Sequence, residues 1–416
     1  MAKGFKGRLL LCLAAVIAAH GTAAAVEIGG WMEAEGRYFF QEPLYPAQDW
    51  NSASLAVRPE FYQEWAGGHS FTFVPFYRYD SADDQRTRFD VREALFLWPA
   101  ERYELRAGIG KVFWGVTEGR HLVDIVNQSD TVESIDGEEK LGQPMVNLTL
   151  LSDFGTLDLF VLPYFRERTF PGRNGRLRFD PYIDTGRDAV YEDDAKARRV
   201  DYALRYSHTL GGWDVGVSQF YGTTREPAFL VRPGATGNLI IDPFYEIISQ
   251  TGLDLQYVSG AWMWKLEAIY RSGHEDGSYY ATDAGLEYTF SGPRLRGMDL
   301  GLILEYMYDS REFDVELSEL IGGGYIGSRF NTFLNNDFMA GLRFAFNDTA
   351  SSEILAGFIQ DLDNRSAVFQ LEASRRLGDS FKLELNTYFF LNAENDPLMN
   401  FLRKDSFMQM ALKYYF

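Results

Sequence analysis

The chain has 416 residues and carries 59 Asp and Glu against 40 Lys and Arg, a net charge of −19 that excludes a nucleic-acid partner. Aromatic residues make up 16% of the chain, with 24 Tyr and 33 Phe, yet the mean hydropathy is only −0.23, which suits alternating strands with aromatic girdles better than an ordinary core. The one cysteine, Cys12, excludes a disulfide framework.

Lys3, Lys6 and Arg8 precede an apolar run from Leu9 to Ala19 that is too short to span a bilayer as a helix. Ala23-Ala24-Ala25 follows as an A-x-A cleavage site, so residues 1–25 read as a secretory signal peptide and the mature chain begins near Val26. Cleavage removes three cations and takes the net charge to −22. The first strand starts at about Glu27, which leaves no room for an N-terminal plug, and residues 26–416 read as one domain.

Period-2 alternation then repeats along the chain. Leu55, Val57, Pro59 and Phe61 alternate with Ala56, Arg58, Glu60 and Tyr62. The same pattern recurs around Tyr202–Tyr206, Trp262–Tyr270, Leu300–Tyr308, Phe338–Phe346 and Phe381–Phe389. Connections alternate in length. Short ones fall at Gly67-Gly68, Asp153-Phe154-Gly155, Gly211-Gly212, Ser259-Gly260 and Gly378-Asp379. Longer ones fall near 41–52, 113–143, 166–199, 223–249, 311–335 and 392–404, with brief ones near 81–87, 273–279 and 362–365. This rhythm predicts an all-β, up-and-down antiparallel transmembrane barrel of about eighteen strands, with sixteen as the alternative count. A soluble sandwich alternates too, but here the polar faces are heavily charged and rich in small residues, as a wet lumen wall would be.

The segment 113–143 is the leading functional candidate. It follows a strand whose inward positions include Glu104, Arg106, Gly108 and Gly110, and two glycines on a wall let another backbone approach closely. The segment is expected to fold into the lumen as a constriction, with Glu118, Arg120, Asp124, Asn127 and Asp130, and wall residues Arg58, Glu60, Glu104 and Arg106, setting pore size and charge. The alternative is an exposed loop. The stretch Gly110 to Asp130 (GKVFWGVTEGRHLVDIVNQSD), with Gly142-Gln143-Pro144 and the strand-turn-strand to Pro163, resembles an uncharacterised family of Gram-negative outer-membrane barrels similar to the porin and alginate-export group. The resemblance implies the fold and supplies no substrate.

Arg166, Arg168, Arg173, Arg176 and Arg178 open the next long loop, where guanidinium groups are expected to grip lipopolysaccharide phosphates or draw in an anionic solute. Self-pairing within a solvated loop is the alternative. The loop 225–249 is unexpectedly apolar and is expected to extend the sheet, close the mouth as a lid, or admit a hydrophobic solute. By alternation, inward acids exceed inward bases, which predicts mild cation selectivity. His69 and His208 fall at turns, and neither His121 nor His274 lies in a nucleophile motif, so an enzyme is not expected. No cofactor and no metal site are expected either: Gly322-Gly323-Gly324 lacks the Lys and Ser/Thr of a phosphate loop, and the acids around Gly137 lack calcium-loop spacing.

The chain ends QMALKYYF. Met408, Met410, Leu412, Tyr414 and Phe416 fall on one face of a strand and Gln409, Ala411, Lys413 and Tyr415 on the other. This resembles the terminal strand of bacterial outer-membrane barrels, with Gln409, Ala411, Tyr414 and Phe416 in the signal positions and Ala411 where Gly is usual. The resemblance implies recognition by barrel-assembly machinery and residence in the outer membrane among lipid and lipopolysaccharide. The expected work is passive passage of small polar or charged solutes through a porin-like channel. Export of a polysaccharide, uptake of a hydrophobic solute, and a plugged receptor, adhesin or hydrolase are the alternatives. Oligomeric state is open, because an apolar wall meets lipid and a subunit equally well.

Overall fold

A computed structural model describes residues 25–234, 239–292, 295, 297–311, 324–327 and 334–416. Residues 1–24 of the expected signal peptide and most of the loop 311–335 lie outside the described residues. The first half of the chain contains β1 (Glu27–Phe39), β2 (Ser52–Glu64), β3 (Ser70–Asp80), β4 (Arg88–Pro99), β5 (Tyr103–Gly110), β6 (Gln143–Ser152) and β7 (Gly155–Leu162). β8 (Val190–Tyr191), β9 (Asp201–Leu210), β10 (Trp213–Thr223), β11 (Ala228–Pro233), β12 (Leu239–Tyr245), β13 (Ile247–Ser259), β14 (Trp262–His274) and β15 (Gly277–Phe290) follow. The chain finishes with β16 (Asp299–Asp309), β17 (Gly324–Ile326), β18 (Asn336–Ala345), β19 (Glu353–Asp361), β20 (Ala367–Leu377), β21 (Phe381–Leu391) and β22 (Phe407–Tyr415).

Eighteen of these strands form one antiparallel sheet that closes when β22 pairs with β1, from Trp31↔Tyr415 to Phe39↔Phe407. Closure leaves no free strand edge, which is the condition for a sheet to cross a bilayer. The alternation predicted from sequence is the alternation observed. Leu55, Phe89 and Tyr270 stand 62%, 66% and 55% exposed on the outer face, while Glu33, Glu267 and Glu305 are buried on the inner one. An apolar belt of this extent is what lipid covers, so the molecule is an integral membrane barrel. The terminal strand has its expected register, with Met410, Leu412 and Tyr414 exposed outward and Ala411 buried inward.

Short turns lie at one end of the barrel and long loops at the other. At the turn end Gly211 and Gly260 take φ of +63° and +62°, the left-handed region that tight hairpins need. The apolar loop does not lengthen the barrel strands. β11 and β12 pair with each other, and with β17 and β8, as a separate four-stranded sheet over the mouth. Its apolar side packs Phe229, Val231 and Ile326 on Phe170, Ile183 and Leu398.

One irregularity serves the lumen. The β3–β4 register slips between Val74 and Pro75, leaving Arg92 unpaired. Pro75 has no N–H to give, so the ladder loses little by bulging there. The extra residue turns the Arg92 side chain onto Asp130 of the long loop at 2.7 Å.

Candidate functional site

The loop between β5 and β6 crosses the lumen. Gly108 and Gly110 were expected to let the loop backbone approach, but a Cβ on either would meet the neighbouring strands instead, Ala94 and Leu95 of β4 and Met145 of β6. Asn127 fastens the loop to the strand end, donating from Nδ2 to the Gly110 and Leu141 carbonyls at 3.0 and 2.8 Å and accepting from the Val112 N–H at 2.9 Å. Leu122, Val123, Ile125 and Val126 are buried against Phe160, Phe220, Ile248 and Ile269 of the inner wall. The short amphipathic run of the sequence is therefore the loop's apolar anchor.

Two wall carboxylates grip the backbone of the far side of the loop. Glu267 accepts from the Val116 and Thr117 N–H groups at 2.7 and 3.1 Å, from the Thr117 hydroxyl at 2.8 Å, and from the Val123 N–H at 3.1 Å. Glu305 accepts from the Glu118 and Gly119 N–H groups at 2.9 and 2.7 Å. Gly115 is needed beside them: a Cβ there would lie 2.7 Å from a Glu267 oxygen, at φ +134°. Charge-assisted bonds of this kind are about twice as strong as neutral ones. Arg120 adds a pair with Asp309 at 3.1 Å, and Glu118 is held by Lys265 and Arg343, each at 3.0 Å. On the opposite side, Glu133 takes Arg78 at 2.9 Å, and Asp130 is closed in by Arg88 and Arg92.

The predicted site residues thus separate into three groups. Glu118 and Arg120 reach the open lumen. Asp124, Asn127 and Asp130 were expected to face the solute, but they are 8%, 1% and 0% exposed and hold the loop in shape. Arg58, Glu60, Glu104 and Arg106 stay on the wall, with Glu104 and Arg106 paired to each other at 2.7 Å. They line neither of the two cavities described below. The basic loop does not stand out into solvent as expected. Arg176 is buried on Asp405 at 2.7 Å and Arg178 on the Arg173 and Phe179 carbonyls, while the half-buried Arg166 pairs with Asp90 at 2.7 Å. Carboxylates and carbonyls of the mouth use up these donors, and of the five arginines only Arg173 is exposed. The Arg168 side chain meets Gln128 at 3.5 Å and faces a cavity.

Alternation counts Glu267 and Glu305 only as two of the inward acids and does not tie them to the loop, because their partners there lie 144 or more positions away in the chain. His274 was expected on a short external loop. It does end β14 beside that turn, and it is buried, with Nδ1 2.6 Å from Glu246, which also accepts from Tyr325 at 2.7 Å. This ties the mouth sheet to the β14–β15 turn. The Glu246 carboxylate is buried, but the hydrogen bonds it accepts outweigh the burial and keep it ionised below its usual range.

The loop divides the lumen into an outer cavity of about 310 Å³ and an inner one of about 1220 Å³. Both are lined by Gly119, Arg120, His121, Ile135, Asp136, Glu138, Glu226, Leu334 and Leu402, so these residues mark where the two spaces meet. Glu226 is desolvated there, but Arg271, Arg311, Arg120 and Arg168 around it hold its carboxyl below the ordinary range. His121 binds Glu138 at 2.9 Å. Burial disfavours the imidazolium, yet the bond to Glu138 and the nearby carboxylates outweigh it, and the group titrates above its usual value.

No family model and no curated protein sequence matches the chain. Solved structures do. OccD3 (OpdP) of Pseudomonas aeruginosa superposes with a TM-score of 0.54 at 11% identity, covering 95% of this chain and 93% of that one. A BenF-like porin of Pseudomonas fluorescens Pf-5 superposes with a TM-score of 0.55 at 9% identity, covering 95% and 99%. At these identities the likeness is one of fold, and the fold is the porin barrel.

Proposed function

We propose that the protein is an outer-membrane channel for passive passage of small polar or charged solutes, narrowed by the loop 113–143. One observation carries the reading. The loop spans the lumen from the arginines of β3 and β4 to the carboxylates of β14 and β16, and the remaining space on either side meets at its edge. A segment fastened at both sides by charged groups is suited to act as a fixed aperture rather than a mobile flap. Glu118, Arg120, His121 and Glu138 stand at that aperture. His121 and His274 are engaged in pairs with Glu138 and Glu246, which favours transport over hydrolysis. A weak cation preference follows from the inner cavity, where Asp136 and Glu372 are bonded to Tyr388 and Gln370 rather than to a lysine or arginine among the described residues.

The test is a planar-bilayer recording of the refolded mature chain, with and without residues 118–140. Deletion is expected to raise single-channel conductance several-fold. An unchanged conductance from a correctly closed barrel refutes the aperture.

A further inference from the structure

The inner cavity has an apolar side that alternation alone did not predict. Going round the wall, Met339, Ile359, Val368 and Phe390 are successive register partners on β18 to β21, and all line the cavity. A wall that only conducts water and salt gains nothing from such a row. The next inward row towards the turn end begins with Gly341 opposite Gly357. A Cβ on Gly341 would meet nothing closer than 3.7 Å, so packing does not require glycine at that position. Gly341 is itself buried beside Ile303 and Met339, so the recess beneath the apolar row opens at Gly357, which lines the cavity.

The row below the recess adds charge. Leu355 is the register partner of Glu372, which sets an apolar and an acidic side chain about 5 Å apart. Glu372 accepts from Gln370 at 2.6 Å, Gln370 also donates to the Tyr388 hydroxyl at 2.8 Å, and Tyr388 donates to Asp136 of the loop at 2.8 Å. Neutral donors thus orient both carboxylates without cancelling their charge. The nearby cations are engaged elsewhere: Lys382 on Glu384 at 2.9 Å, and Arg343 on Glu118 and Glu287 at 3.0 and 3.3 Å. Neither the recess nor the acids alone select a ligand. A concave space with one apolar side and a few oriented polar groups is the usual anatomy of a small-molecule site.

We infer that the inner cavity holds a small organic cation with a ring-sized apolar body, the body in the recess against Met339, Ile359 and Leu355 and the charged nitrogen at Glu372 and Asp136. This rests on the channel reading and names the class of solute it would favour.

The test is current block in planar bilayers, with benzyltrimethylammonium as probe and tetramethylammonium and benzenesulfonate as controls. Benzyltrimethylammonium is expected to half-block at a concentration at least tenfold lower than either control. Glu372→Gln and Ile359→Ser are each expected to raise that concentration several-fold, with barrel closure checked by heat-modifiable mobility. Equal block by all three ions, or block that neither substitution changes, overturns the site. Calorimetry of the same ions with the refolded barrel separates the two proposals. A barrel that conducts but binds no benzyltrimethylammonium loses the site and keeps the channel. A barrel that binds it through Glu372 but never conducts keeps the site and loses the channel.

Discussion

Glu267→Ala tests how the lumen loop is held. The carboxylate accepts four hydrogen bonds from Val116, Thr117 and Val123, three of them on one oxygen. A hydrogen bond to an ionised acceptor contributes ~1.5–3 kcal/mol, so four at face value give roughly 6–12 kcal/mol. Bonds that share an oxygen are not additive, and lumen water can replace part of what is lost. We therefore expect the docked loop to lose about 2–4 kcal/mol. Glu305 and Asp309 still hold residues 118–120, so the segment should loosen rather than detach. In single-channel recordings the variant should show a noisier open level with excursions to higher conductance, and Glu267→Gln, which keeps one acceptor oxygen, should lie between it and the parent. Glu64→Ala on the exposed turn end serves as the control. A Glu267→Ala trace that matches the parent in level and noise refutes the reasoning.

Arg78→Ala leaves Glu33, Glu35 and Glu133 without the guanidinium that touches all three. Breaking a buried pair costs ~3–5 kcal/mol, and the temperature at which the compact band converts to the unfolded one on a gel should fall. The His121–Glu138 pair predicts a pH dependence. Its folded imidazole titrates above the ordinary value, so the ionic contact is complete below about pH 6.5 and is lost as pH rises through the elevated value. Cation preference, read from reversal potentials, should therefore rise with pH across that window, and His121→Asn should make it flat. Phe416→Ala should reduce the heat-modifiable fraction in cells while leaving refolding in detergent unaffected; equal loss in both would assign Phe416 to stability rather than to recognition.

The hairpin rhythm was legible because strand faces differ sharply in polarity and turns carry glycine. The same rule pointed Gly108 and Gly110 inward and so drew the following loop into the lumen. It could not say which wall residues would receive that loop, since alternation gives a side chain's direction but not its partner. Glu267 and Glu305 read as two more inward acids. The arginines at 166–178 misled for a related reason. A basic loop looks solvated until carboxylates such as Asp90 and Asp405 are seen to meet it. The apolar row stayed hidden because β19 reads Ile354, Leu355, Ala356, Phe358, Ile359, apolar on both faces, which erases the period.

The seam between β1 and β22 has a consequence for how the barrel is made. Arg37 donates to Gln409 at 2.8 Å across 372 positions of sequence. Every other neighbour in the sheet is joined by a turn or a loop, so this one junction forms between residues made at opposite ends of synthesis. Loop-closure entropy rises only slowly with separation, but the contact has to wait for the last nine-residue strand to emerge. Until then the growing sheet presents two unpaired borders to its surroundings. Unpaired strand borders are ready templates for pairing with another chain, so the interval before β22 meets β1 is the stage at which this sheet is most open to aggregation.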